Sequence, residues 1–215
     1  RDAVVGAGVI GLAIAYALAR RGRQVTVFET SAAPEGASVR NFGTLWPIGQ
    51  PAGQRRALAL ESVATWRQVL KGARAWSASE GSMHLAYHDD ELAVLSEFAG
   101  RANADGFSCH LLDPAQTLAR STHVRSHALK GALWSPHELQ INPGQAIHRV
   151  AAWLQEQWHV KFERQAHVTA CGGGEVRAGQ RAWPVDCAWV APGADLQTLY
   201  PEAFATLGLR RCKLQ

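Results

Sequence analysis

Three glycines near the start of the chain, Gly6, Gly8 and Gly11, follow the spacing Gly-x-Gly-x-x-Gly. A short β-branched run at residues 3–5 precedes them, and an Ala/Leu-rich segment at residues 12–21 follows. Together these patterns predict a strand, a glycine turn and a helix. A second buried strand ends at Glu29, eighteen residues after Gly11. This is the arrangement of a βαβ unit that binds a dinucleotide.

Each residue type in the turn has a physical role in holding a pyrophosphate. Gly6 permits the tight turn, Gly8 removes a side chain where the backbone approaches the phosphates, and Gly11 lets helix and strand pack closely. Val9 and Ile10, between the second and third glycines, are further candidate cofactor contacts just before the helix, whose unpaired N–H groups and dipole favour negative charge. The alternative is a glycine turn that only packs a strand onto a helix.

The acid at the end of the second strand bears on which dinucleotide is bound. The Glu29 carboxylate is suited to accept hydrogen bonds from both ribose hydroxyls of an adenosine. A 2′-phosphate would be repelled there, so the motif disfavours NADP. FAD and NAD present the same ADP half to such a turn, and the motif does not choose between them.

A long loop at residues 30–45 separates the second strand from the next helix, which we expect at residues 54–72. Loops of this length inside a βαβ unit often have a function. Ser38, Asn41 and the backbone around Gly43 are suited to bond a pyrophosphate or a ring system beyond it. An ordinary surface loop is the alternative.

The overall composition excludes several classes of protein. The 215 residues are 47% hydrophobic and 19% charged, which excludes disorder and fibrous repeats. A net charge of +4 is too small for a nucleic-acid-binding protein. The four cysteines are irregularly spaced without a C-x-x-C pair, which favours reduced thiols and a cytoplasmic location. The sequence patterns predict no transmembrane segment.

The order of predicted elements indicates an α/β protein with a Rossmann-like nucleotide-binding domain and a discontinuous, inserted α+β domain. We expect residues 1–80 and 140–205 to form the nucleotide-binding domain. Residues 81–139 and 206–215 would form part of the substrate domain, and the chain looks truncated at its C-terminus. His84 and His88 lie four residues apart, but the first falls in a strand pattern, so no metal site is predicted.

The sequence resembles the FAD-dependent amine oxidoreductases of the D-amino-acid oxidase and glycine/sarcosine oxidase superfamily. The resemblance spans essentially the whole chain and rests on GAGVIG at 6–11, Glu29, GAS at 36–38, NFG at 41–43, Asn-Pro at 142–143 and VAPGAD at 190–195. Pro192 stands where the family usually has Thr or Ala. RNFGTLWP at 40–47 and RRCKLQ at 210–215 further resemble a bacterial branch proposed to oxidise aminophosphonates.

The resemblance implies non-covalent FAD and assigns its contacts residue by residue. The glycines of the turn would meet the pyrophosphate and Glu29 the adenosine ribose. The remaining contacts would come from Ser38 and Asn41 along the pyrophosphate and ribityl chain, Gly43, Thr44 and Leu45 near the isoalloxazine, Val168 at the adenine, and Gly193 at the flavin-side phosphates. Arg40 is the candidate for binding an acid group of the substrate; its alternative is a surface ion pair.

The implied reaction is oxidation of a small primary or secondary amine by hydride transfer to flavin N5, with oxygen or another electron acceptor completing the cycle. No catalytic acid or base is identified. An NAD-dependent dehydrogenase would use the same turn and Glu29, but it would leave residues 38–45 without a role. A non-catalytic nucleotide-binding module is the other alternative. If the chain is a fragment of a longer enzyme, we expect it alone to bind FAD weakly and to show little or no turnover.

Overall fold

The computed structural model describes residues 1–209. Its strands are β1 Asp2–Val5, β2 Val25–Glu29, β3 Thr44–Leu45, β4 Ser77–Ala78, β5 Ser82–Ala86, β6 His110–Leu112, β7 Gly131–Ser135, β8 Leu139–Ile141, β9 Lys161–Arg164, β10 Val168–Gly172, β11 Glu175–Ala178, β12 Arg181–Pro184 and β13 Cys187–Val190. Its helices are α1 Val9–Ala19, α2 Gln54–Gly72, α3 Asp89–Ala104, α4 Pro114–Arg120, α5 Pro143–Trp158 and α6 Pro201–Ala205. Ala37–Val39 and Pro47–Gly49 form single 3-10 turns.

Contacts within the chain divide it into two compact units. The first comprises residues 1–42, 70–76 and the chain from residue 142 onward, and the second comprises residues 43–69 and 77–141. Residues 43–69 therefore pack with the inserted segment, whereas the sequence grouped them with the nucleotide-binding domain. Residues 206–209, which the sequence grouped with the substrate domain, fall in the first unit. The RRCKLQ motif at 210–215 lies outside the described residues.

The first unit is built on a parallel sheet with strand order β13-β1-β2-β9. All four residues of β1 are buried, because strands pair with it on both sides and helix α1 packs against it. Such strands are expected to be continuous apolar runs rather than alternating ones. A separate antiparallel sheet, β10-β11-β12, packs Val168 and Val176 against Phe28 of β2. The mixed α/β class predicted from the sequence is confirmed.

The second unit contains two small antiparallel sheets, with strand orders β5-β7-β6 and β3-β8-β4. Its core joins Leu133 of β7 to Ala99 and Ala102 of α3 and to Phe107. Strands β3, β4 and β8 were not predicted, because two or three residues are too few to show an alternating pattern.

Two helices begin earlier than the sequence indicated. Helix α1 begins at Val9 rather than Leu12, so Gly11 lies inside the helix. Helix α3 begins at Asp89, although the acidic residues 89–91 are typical of a turn and the helical apolar pattern starts only at Leu92. There the Glu91 carboxylate accepts the backbone N–H of His88, and acidic residues in the first turn are stabilised by the helix dipole.

Substitution of Gly72, the last residue of α2, should destabilise the first unit. A Cβ added at Gly72 would lie 2.8 Å from Cε2 of the Trp153 ring, and that ring packs against Tyr16 and Trp158. Because the ring is held on several sides, we expect Gly72→Ala to lower the free energy of unfolding by about 1–3 kcal/mol. Denaturant unfolding measures this change.

Gly100→Ala is the matched control, because Gly100 also lies in a helix and an added Cβ there meets nothing within 4 Å. It should raise stability by about 0.5–1 kcal/mol through helix propensity. Equal effects of the two substitutions would contradict the close packing of Gly72 on Trp153.

Candidate functional site

The turn after β1 leaves no space for side chains at two of its glycines. Gly6 has φ +101°, and a Cβ there would overlap the carbonyl oxygen of Ala191, which follows β13. A Cβ at Gly11 would overlap the carbonyl oxygen of Gly6 and lie 3.3 Å from Val4 Cγ1. These two glycines therefore let α1, β1 and the end of β13 approach one another closely.

Gly8 has a different environment from the other two glycines. Its backbone is extended, and an added Cβ would meet only the Ser38 hydroxyl, at 3.0 Å from Oγ, and Ser38 Cβ at 3.9 Å. Packing therefore does not require a glycine at this position. Open space beside the backbone at the start of a helix is what a closely approaching phosphate needs.

The first turn of α1 presents backbone donors at an exposed surface. Val9 is 36% exposed and Ile10 is 65% exposed. The Val9 N–H donates to Ser38 Oγ at 2.9 Å, while the N–H groups of the first turn have no acceptor within the helix itself. A helix N-terminus of this kind attracts an anion through its N–H groups and its dipole.

Glu29 is half-buried at the end of β2 and bonds the glycine turn directly. Its Oε2 accepts the Ala7 N–H at 2.8 Å, and its Oε1 accepts the Ser31 N–H at 3.0 Å. Each carboxylate oxygen has two lone-pair directions, so capacity remains for ribose hydroxyls. The structure thus brings Glu29 and the glycine-rich segment together at one end of the sheet.

The loop after β2 folds back toward this turn. Ser38 lies in the 3-10 turn Ala37–Val39, and Asn41 Nδ2 donates to the carbonyl oxygens of Ala37 at 3.1 Å and Ser38 at 3.0 Å. Asn41 therefore shapes the backbone that holds Ser38 at the helix N-terminus. The Arg40 side chain is exposed and makes no ion pair with a described residue, so the surface ion pair considered for it is not seen.

Val168 and Gly193 are two further predicted cofactor contacts, and both belong to the first unit. The Val168 side chain is buried in the core between the two sheets, which leaves its backbone for any contact with a nucleotide. Gly193 has φ +64° and open space around its Cα, in a turn where Pro192 O accepts the Asp195 N–H at 3.2 Å. Hydrogen bonds, chiefly from Thr198, lower the pKa of the Asp195 carboxyl.

The remaining predicted residues, Gly43, Thr44 and Leu45, belong to the second unit. Thr44 and Leu45 form β3 and pair with Gln140 and Leu139 of β8. Gly43 precedes them with φ +68°, and its carbonyl accepts the Ile141 N–H at 2.7 Å. These three residues are held by β8, a strand that the sequence did not reveal.

The histidines excluded as a metal site lie on different elements. His84 is in β5, and His88 caps the start of α3. Burial lowers the pKa of His84, while the charge of Glu138 opposes that effect. Within residues 1–209, no group of three or more His, Cys, Asp or Glu side chains is placed to hold a metal ion. No described helix has the length and apolar content to cross a membrane.

Sequence reasoning missed the contributions of several other residues. The Ala7 N–H donates to Glu29 from within the glycine turn, and the Ala191 carbonyl lies against Gly6, but a backbone group leaves no signal in the side-chain pattern. Glu138 is 1% exposed and bonds the Ile48 N–H, although its neighbours in the sequence, His137 and Leu139, give no sign that it is buried. A cavity of about 400 Å³ beside Trp153 is lined by none of the predicted site residues.

The arrangement in the first unit fits the ADP half of a dinucleotide. Open space at Gly8 and Gly193, backbone donors at α1 and a carboxylate at the end of β2 meet the requirements of a pyrophosphate and a ribose. Gly6 and Gly11 serve packing, so the alternative of a purely structural turn accounts for two glycines but not for Gly8.

Two known proteins are similar in sequence to part of this chain. Glycine oxidase from Geobacillus kaustophilus is 28% identical over 149 residues, which cover 65% of this chain and 39% of that protein. The MnmC bifunctional protein of Burkholderia multivorans, named for tRNA 5-methylaminomethyl-2-thiouridine biosynthesis, is 31% identical over 144 residues, covering 64% of this chain and 22% of that protein. The aligned segments thus cover less than half of either relative's length.

The fold agrees with a solved structure as well. The crystal structure of glycine oxidase from Geobacillus kaustophilus superposes with a TM-score of 0.81 at 22% identity, covering 94% of this chain and 57% of that one. The model of the family described as DAO, FAD dependent oxidoreductase, matches residues 3–213. The chain belongs to the DAO family of FAD-dependent oxidoreductases.

Proposed function

We propose that the protein oxidises a small primary or secondary amine, of the amino-acid or aminophosphonate type, with non-covalently bound FAD. The observation that carries the proposal is the turn in which Glu29 bonds Ala7 beside the open backbone of Gly8. Family membership and the similarity to a glycine oxidase support it. FAD, when bound, supplies the acceptor for the hydride taken from the carbon that carries the amine.

The chain's own residues would bind and orient the cofactor. The N-terminus of α1 would hold the pyrophosphate, with Ser38 Oγ adjacent to it, and Glu29 would bind the adenosine ribose. The Val168 backbone would contact the adenine, and Gly193 would leave room for the phosphates on the flavin side. In this assignment the first unit is the FAD-binding domain.

The second unit would carry residues for the reacting end of the cofactor and the substrate. Gly43, Thr44 and Leu45 would line the isoalloxazine, and we assign residues 81–139 to the substrate domain. Arg40, which belongs to the first unit and is exposed without an ion pair among described residues, would bind an acid group of the substrate. Oxygen or another electron acceptor would reoxidise the flavin and complete the catalytic cycle.

The free thiols of Cys109, Cys171 and Cys187 support a cytoplasmic location.

Gly8→Ala should weaken FAD binding without unfolding the chain. The added Cβ meets only the short side chain of Ser38, with Oγ at 3.0 Å, so the free energy of unfolding should change by less than about 0.5 kcal/mol. It would, however, stand where the pyrophosphate approaches, and the Kd for FAD should rise at least about tenfold. Titration of the apoprotein with FAD, followed by flavin fluorescence, measures this change.

Gly100→Ala again serves as control and should leave the Kd unchanged, since Gly100 lies in α3 of the other unit. A parallel titration with NAD separates the two cofactors. Binding of NAD but not FAD would contradict the proposal. Binding of neither by the unmodified chain would favour a fragment without cofactor affinity.

Glu29→Gln should destabilise the apoprotein even before any nucleotide is added. The carboxylate accepts two backbone N–H groups, one with each oxygen, whereas a glutamine side chain offers only one oxygen. One donor would lose its partner, so we expect a loss of about 1–3 kcal/mol in the free energy of unfolding, measured with denaturant.

Glu35→Gln provides the comparison, because Glu35 is exposed and makes no hydrogen bond or ion pair with a described residue. It should change the free energy of unfolding by less than about 0.5 kcal/mol. If Glu29→Gln were equally neutral, the two backbone bonds to Glu29 would not stabilise the turn.

A further inference from the structure

A buried acid in the second unit has no role in the function proposed so far. Glu138 lies just before β8 and is 1% exposed. Its Oε1 accepts the Ile48 N–H at 3.1 Å, and its Oε2 is buried without a hydrogen-bond partner in the described part of the chain. Burying a carboxylate is costly, so an apolar residue would be expected at this position unless the carboxylate has a specific role.

The hydrogen bond of Glu138 joins two segments that are 90 residues apart in the chain. Ile48 lies in the 3-10 turn Pro47–Gly49, which Trp46 alone separates from β3. Leu45 of β3 pairs with Leu139, the residue after Glu138. The Glu138 carboxylate therefore extends the β3–β8 pairing by one side-chain bond and holds the turn that would otherwise leave the sheet.

The turn held by Glu138 is also held by an aromatic contact. The Trp46 ring lies against Gly49, where an added Cβ would be 2.6 Å from Trp46 Cε3. The same ring stacks on the His84 imidazole, with centroids 5.7 Å apart and planes 23° apart. The negative charge of Glu138 also acts on His84, where it opposes the lowering of the His84 pKa by burial. The Glu138 carboxylate thus accepts a hydrogen bond from the backbone of the turn. It also interacts electrostatically with the His84 imidazole, on which Trp46 stacks.

We propose that Glu138 is a positioning residue that holds residues 43–48, the segment with Gly43, Thr44 and Leu45, in the conformation required beside the flavin. The proposal rests on the proposed function, since that function places those three residues at the isoalloxazine. Glu138 does not touch the cofactor in this account. It acts through the Ile48 N–H and through the strand pairing next to it.

Two substitutions separate the hydrogen bond from the size of the side chain. Glu138→Leu has a similar volume but no acceptor, whereas Glu138→Gln retains an oxygen that can accept the Ile48 N–H. Glu138→Asp keeps the charge but is one methylene shorter, and it provides a second test if the leucine variant does not fold. Thr117→Ala, which removes a buried hydrogen bond in α4 of the same unit, controls for general destabilisation.

The first readout is hydrogen exchange of the Ile48 amide in the apoprotein. Exchange should be at least about tenfold faster in Glu138→Leu and Glu138→Asp, and within about threefold of the unmodified rate in Glu138→Gln. Thr117→Ala should leave the Ile48 amide protected. Unchanged exchange in both the leucine and aspartate variants would overturn the role of the Glu138 bond.

The second readout is FAD titration of the same proteins, with the Kd and the visible flavin spectrum recorded. Glu138→Leu and Glu138→Asp should raise the Kd at least about tenfold and shift the flavin band, while Glu138→Gln and Thr117→Ala should match the unmodified chain. Faster Ile48 exchange with unaltered FAD binding would overturn the positioning role. Failure of the unmodified chain to bind FAD would instead count against the proposed function, and Ile48 exchange would still test the bond itself.

Discussion

The close approach of three backbone segments at the end of the parallel sheet is the constraint on which the first unit depends. The turn after β1, the first turn of α1 and the residue after β13 meet so tightly that neither Gly6 nor Gly11 has room for a Cβ. Because the N-terminus of α1 is held at the end of the sheet where β1 finishes, its N–H groups point at a defined position in space. Every contact assigned to the cofactor phosphates depends on that position.

Charge and hydrogen bonding then complete what packing begins. Glu29 is fixed by the N–H groups of Ala7 and Ser31, so its orientation is set before a ribose arrives. Ser38 caps Val9, and Asn41 holds the backbone of Ser38 in turn. Preorganised donors and acceptors of this kind lose little freedom on binding, which favours affinity for a ligand of matching shape. In the second unit, Glu138 holds the turn after β3 in place by accepting the Ile48 N–H.

Patterns of several residues were predicted well from the sequence, and short or capped elements were not. Helix α2 spans Gln54–Gly72 as expected, because its apolar periodicity extends over five turns. Asn142 caps α5 as its type and the following proline indicate, accepting the Gln145 N–H at 3.0 Å. Strand β3 was read as loop, since two residues carry no pattern and its pairing partner lies near residue 140.

The sequence by itself determined the strand, turn and helix that begin the chain, together with the glycine spacing and the acid of the nucleotide site. These features are local: φ preferences, helix dipoles and the period of apolar residues act over a few neighbours. Only the tertiary structure decided that Gly6 packs on Ala191, that Glu29 bonds Ala7 and that Glu138 bonds Ile48. Those contacts join residues far apart in the chain, and their geometry exists only once the sheets have paired.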